Sequence, residues 1–253
     1  RSFPATRIKD ENLRKLLKEY DVNRDGVFND YDLMNAPGYI DMSNSGIRSL
    51  EGIEGFFKLV TIGAQGNSIT EIDIDGMPEL SVVNVYENPD LKRISLKNVP
   101  DMERVSAYKC SLEELVLPDE IEDFTLDVAG NGLTNLSLGN IGRLYLDCSN
   151  NQLESLIIPE STKLASLDCS DNRLTVLELP AHRTELESVI CDNNMIVSLD
   201  VSGSPMLTRL WCEHNRIDDI DIAGCTGLTT LRCRDNRIRA LNVDACKELR
   251  NLS

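Results

Sequence analysis

One spacing governs this chain from about residue 37 to its end. The segments LYLDCSNNQLESLII, ASLDCSDNRLTVLEL, ESVICDNNMIVSLDV, TRLWCEHNRIDDIDI and TTLRCRDNRIRALNV superimpose without gaps on Asn151, Asn172, Asn194, Asn215 and Asn236. The same frame runs back through Asn131, Cys110, Asn88, Asn67 and Ser45, and every interval is 20, 21 or 22 residues. A unit this short cannot bury an apolar face by itself, so successive units must stack on one another and share a core. Ten such coils are present, and Leu249 and Leu252 fit the start of an eleventh whose anchor would fall beyond Ser253. A half-built coil is expected to add a strand while covering little beneath it.

The coils match the leucine-rich repeat pattern L-x-x-L-x-L-x-x-N-x-L, with cysteine often in place of the third leucine. The resemblance implies a right-handed solenoid with a parallel concave β-sheet. Taking the anchor as the ninth position, the fourth and sixth lie on a short strand and point inward, because strand side chains alternate. These are Leu146 and Cys148, Leu167 and Cys169, Val189 and Cys191, Leu210 and Cys212, Leu231 and Cys233. With only 5% aromatic residues in a chain that is 41% hydrophobic, Leu, Ile and Val carry the packing. Segments after the anchor, such as NRIDDIDIAG, alternate rather than repeat with a helical period, so the convex side is expected to be extended or irregular.

This frame decides how the stretch Trp211-Cys212-Glu213-His214 reads. Cys212 faces the core, Trp211 and Glu213 face outward, and His214 enters the bend, so the four cannot converge on zinc. The cysteines at 148, 169, 191, 212 and 233 form a ladder of core filler. Stacked strands hold neighbouring Cβ atoms about 4.8 Å apart, whereas a disulfide wants about 3.8 Å. Reduced, buried thiols are therefore expected, with Cys225 and Cys246 a second aligned pair where a bridge remains open.

Before the coils, DENLRKLLKEY places Leu13, Leu16 and Leu17 on one helical face. DVNRDGVFNDYD follows and matches the calcium-loop pattern. Its ligand positions are Asp21, Asn23, Asp25, the Val27 carbonyl, Asn29 and Asp32, with Gly26 at the turn. The last position usually holds a glutamate, and the shorter Asp32 reaches an ion less easily. The alternative is a plain turn in a cap. Residues 1–36 are thus read as a helix-and-loop cap over the solenoid of residues 37–253, binding Ca2+ in a structural role.

FPATRIKDENLRKLLKEYDVNRDGVFNDYDL followed by IDMSNSGIRSLEGIEGF resembles the start of secreted or surface-anchored bacterial leucine-rich repeat proteins, internalin-like in their repeats. The resemblance implies an extracytoplasmic protein that presents a binding face, and a monomer is expected. The chain opens at Arg1 without a methionine, so any targeting or anchoring segment is expected to lie outside it. No stretch approaches the length of a membrane span. A net charge of −16 argues against nucleic acid as partner.

Function is expected on the concave sheet, by binding a protein or glycan. Its candidate ligand-binding residues are Tyr86, Tyr108, Tyr145, Arg209, Trp211, Glu213, Arg232 and Arg234. Trp211 with Arg209, Arg216, Arg232, Arg234 and Arg237 forms a cationic and aromatic cluster on an acidic chain, and exposed Trp and Arg are enriched in binding hot spots. Asp127, Asp147 and Asp168 form an acidic column on the same face. A spacer that carries another domain is the rival reading. An enzyme is not expected, since His182 and His214 have no nucleophile or acid partner in the frame.

Overall fold

The computed structural model describes residues 2–253, in two compact units that divide between Ile121 and Glu122. Both are built from coils of a parallel β-solenoid, about ten turns in all.

In the first unit, Phe3–Pro4 pairs antiparallel with Val27–Phe28. A short helix, Glu11–Leu17, starts where the Asp10 carboxylate accepts the Leu13 N–H at 2.9 Å. Leu13 and Leu17 are fully buried and Leu16 half-buried. A second helix, Asp30–Asn35, is capped by Asn29, and Asp32 closes a capping box. Phe3, Phe28 and Phe56 fasten this cap to the first coil, with ring centroids 4.9 to 6.2 Å apart. Gly55 is required there, since a Cβ would overlap the Phe3 ring. The strands Tyr39–Asp41, Thr61–Gly63, Val82–Asn84 and Arg104–Ser106 then pair in parallel, each with the next. On the other side of the coils, Glu71–Asp75, Arg93–Asn98 and Glu114–Val116 make a second parallel sheet.

The second unit repeats the scheme. Asn140–Asp147, Lys163–Asp168, Ser188–Ile190, Arg209–Trp211, Thr230–Arg232 and Asn251–Leu252 pair in parallel, in chain order. Ser198–Asp200 pairs with Asp219–Asp221 on the opposite side, and helices are absent there among the described residues. The register places Asp147, Asp168, Ile190, Trp211 and Arg232 side by side across the strands. Between them, Leu146, Leu167, Val189, Leu210 and Leu231 point into the core and are buried. Each buried Leu or Val contributes about 1.5–3 kcal/mol to stability.

The cysteine ladder is unbridged, and Cys148, Cys169, Cys191 and Cys212 are fully buried. Cys233 departs from the expectation of burial: it is half-exposed. The strand Asn251–Leu252 pairs beside it, but Leu252 is 54% exposed and covers little. Cys225 and Cys246 are both free thiols.

The residue just before each anchor turns the chain out of its strand through the left-handed region. Asn44, Glu87, Lys109, Asn150, Asp171, Asn193, His214 and Asp235 have φ between 48° and 55°, and Gly66 and Gly130 take the same place. That conformation disfavours a Cβ and is tolerated best by Gly, Asn and Asp. Those residues dominate this position.

Candidate functional site: an arginine-flanked tryptophan on the outer sheet face

In the second unit, strand pairing brings Arg209, Trp211 and Arg232 together on the face of the sheet that points away from the core. The Arg209 guanidinium lies 5.3 Å from the Trp211 ring centroid and that of Arg232 lies 4.2 Å away. Both are within cation–π range. Trp211, expected to be exposed, is half-buried beneath them. Its indole N–H is buried and has no acceptor. Arg209, Arg232 and Arg234 are exposed, and Arg232 lies near enough to Asp192 to offset part of the upward shift of its carboxyl. With Glu213 and Arg250 these residues line an open cleft of about 810 Å³. Arg250 is an addition to the sequence reading; its place in the partial eleventh coil was the available signal.

Along the same face the sign of charge reverses. Asp147 and Asp168 each turn one oxygen back into the chain, accepting from the N–H and hydroxyl two residues on, at Ser149 and Ser170, at 3.0 and 2.6 Å. Asp127 accepts the Ala129 N–H at 3.1 Å and Asp192 the Glu213 N–H at 2.6 Å. Burial pushes Asp127, Asp168 and Asp192 above the usual carboxylate range, and neighbouring carboxylates add to the shift. The acidic column is therefore half-buried and electrostatically loaded. The exposed His214 lies outside this cleft's lining and pairs with Asp235 at 3.1 Å.

The remaining sequence candidates lie elsewhere. Tyr145 is half-buried in the second unit, with the Arg143 guanidinium 5.2 Å from its ring. It pairs with Ser166 rather than lining the tryptophan cleft. Tyr86 and Tyr108, in the first unit, stack on each other at 4.5 Å with only 5° between their planes.

The cap loop is arranged around backbone N–H groups. Asp21 is 5% exposed; its Oδ2 accepts the Gly26 N–H at 2.9 Å, while its Oδ1 is buried with no partner. Asn23 accepts the Asp25 N–H at 3.2 Å, and Asp25 accepts the Val27 N–H at 2.8 Å. Asn29 caps the following helix, and Asp32 uses one oxygen on the Val22 N–H and the other on the Asn29 N–H. Among the described residues no three Asp, Glu, His or Cys side chains form a metal-holding group. A cation here would therefore draw on Asn23, Asn29 and the Val27 carbonyl beside Asp21. The orphaned Asp21 oxygen fits such an ion; the doubly engaged Asp32 contributes only if it gives up a backbone bond.

Comparison with known proteins adds the fold. No family model matches the chain, and no curated protein matches it. Among solved structures it is similar to YopM from Yersinia enterocolitica WA-314, with a TM-score of 0.61 and 21% identity over 78% of this chain. The match covers 42% of that protein. It is also similar to the functional domain of InlJ from Listeria monocytogenes, described as including a cysteine ladder. There the TM-score is 0.48 at 19% identity, over 100% of this chain and 70% of that one. The fold is a leucine-rich repeat solenoid. No helix among the described residues is long and apolar enough to cross a membrane.

Proposed function

We propose that this chain is a non-enzymatic recognition module of bacterial leucine-rich repeat type, acting at the cell surface or outside the cell. Its ligand is a protein, bound on the concave face of the second unit with Trp211 as anchor. One observation carries this reading: three exposed guanidinium groups line one open cleft together with Trp211. Protein is favoured over glycan because two guanidinium groups already lie over the indole ring against which a sugar would stack. The cap loop holds a structural Ca2+ through Asp21, which fits the resemblance of the N-terminal segment to extracytoplasmic proteins.

Selection of displayed random peptides on the whole chain tests the recognition reading. The expected result is a set of binders lost on Trp211→Ala. Binders indifferent to that substitution, or no binders at all, would overturn it and leave a spacer as the better account.

A further inference from the structure

The charge order along the outer face of the second unit says more about the ligand than the cluster alone. Register across the strands gives Asp147, Asp168, Ile190, Trp211 and Arg232 in sequence, so two carboxylates, an apolar centre and a cation succeed one another. Neighbouring strands lie about 4.8 Å apart, so the three steps from Asp168 to Arg232 span about 14 Å. About four residues of extended chain, at about 3.3 Å each, cover that distance.

Two classes of ligand fit poorly. A long polyanion, such as a sulfated polysaccharide, would gain the arginines but then run over Asp192, Asp168 and Asp147, where like charge repels it. A neutral glycan would need the indole face that Arg209 and Arg232 cover. What remains is compact negative charge for the arginines, with charge of the other sign a short way along the same chain. Arginine forks take carboxylates in bidentate fashion, which adds direction to the attraction.

We infer that this face takes an extended peptide segment of a partner protein whose charge changes sign along its length. Its acidic residues sit on Arg209, Arg232 and Arg234, an apolar residue lies over Ile190 beside the covered Trp211, and its basic residues lie over Asp168 and Asp147, about four residues further on. This rests on the recognition reading above and sharpens it. The reversal is also a filter, because a partner with charge of only one sign gains at one end what it loses at the other.

Synthetic fluorescent peptides test the inference against the whole chain, by anisotropy at low salt. One carries a block of glutamates, a short apolar stretch and a block of lysines. A second has the same composition with the charges alternating, a third is all glutamate, and a heparin-derived oligosaccharide serves as competitor. The block peptide should bind at least about tenfold more tightly than the alternating one, and Arg232→Glu should weaken it by about tenfold or more. Arg232→Gln gives the same direction if the reversal disturbs folding. Asp168→Asn should weaken the block peptide and strengthen the all-glutamate one. Equal binding of block and alternating peptides overturns the inference, and so does an all-glutamate peptide that binds as well as the block. Displacement by the oligosaccharide at lower concentration than the block peptide also overturns it, in favour of a sulfated ligand. If displayed peptides bind through Trp211 but carry no such charge order, the inference falls and the recognition reading stands.

Discussion

The side-chain amide of Asn194 donates to the Cys169 carbonyl, one coil back, at 2.9 Å and to the Cys191 carbonyl of its own coil at 3.2 Å. Its oxygen accepts the Leu174 N–H at 2.9 Å. One buried side chain therefore satisfies backbone groups in two coils, and Asn151, Asn172, Asn215 and Asn236 repeat the arrangement. The anchor holds neighbouring coils together as well as making the bend.

Replacing it tests that role. Asn194→Ala leaves the buried Leu174 N–H without its acceptor and takes one of two donors from the Cys169 and Cys191 carbonyls, which keep Asn172 and Asn215; an orphaned buried N–H costs about 1–3 kcal/mol. Urea unfolding should show a loss of about 1–3 kcal/mol. Asn194→Cys should lose less, since Cys110 holds the same place in its coil and donates through Sγ to the Val85 carbonyl at 3.4 Å. A cysteine variant no better than alanine would show that packing, rather than the hydrogen bonds, sets the cost.

The thiols should divide by burial. All eight cysteines are free, and burial raises the thiols of the ladder, so a reactive thiolate is scarce. Alkylation of the folded protein is expected to modify Cys110 and Cys233, the two half-buried ones, and to spare Cys148, Cys169, Cys191 and Cys212. Unfolding without reductant should release all eight. Mass spectrometry showing a Cys225–Cys246 bridge, or fast labelling of Cys191, would contradict this.

The acidic column carries a pH dependence of unusual sign. Burial raises Asp168 first of all, and the adjacent Asp147 adds to it. A carboxyl whose pKa is raised on folding contributes stability that is full below its unfolded value and lost as pH rises through the folded one. Near neutral pH its charge is therefore a cost. Asp168→Asn keeps an oxygen for the Ser170 N–H and hydroxyl, and should stabilise the protein by up to about 1 kcal/mol at about pH 7. The gain should fade as pH falls towards about 4 and the wild-type carboxyl takes up its proton. Thermal melts of both proteins across that range decide it, and a variant less stable than wild type at neutral pH would refute the argument.

The coil frame, the inward columns and the outward Asp147–Arg232 series were legible from spacing alone, because a two-residue alternation and a turn repeated in every coil leave each position one orientation. Side-chain partners were not. That Trp211 lies half-buried under Arg209 and Arg232 depends on which rotamers neighbouring strands allow, and spacing carries no such information. Cys233 looked equivalent to Cys212 in the alignment; the difference lies in what stacks on it, which is a property of the neighbouring coil. In the cap the motif named the loop, but not that Asp32 would spend both oxygens on backbone N–H groups.

That last detail makes the calcium reading testable with some discrimination. Asp21 Oδ1 is buried without a partner, so an ion bound there removes a cost that the loop otherwise carries. An ion that binds only the folded loop stabilises by mass action, about 2.7 kcal/mol at a hundred times its dissociation constant. The melting temperature should therefore rise with calcium and fall back with chelator. Asp21→Asn, which can still present an oxygen to the Gly26 N–H, should abolish the rise while leaving the metal-free protein nearly as stable as wild type. Asp32→Asn should do both kinds of damage, because it loosens the Val22 and Asn29 contacts and the helix cap with them. A melting temperature indifferent to calcium in the wild type, or a calcium response that survives Asp21→Asn, would leave this loop as a turn held by its own backbone bonds.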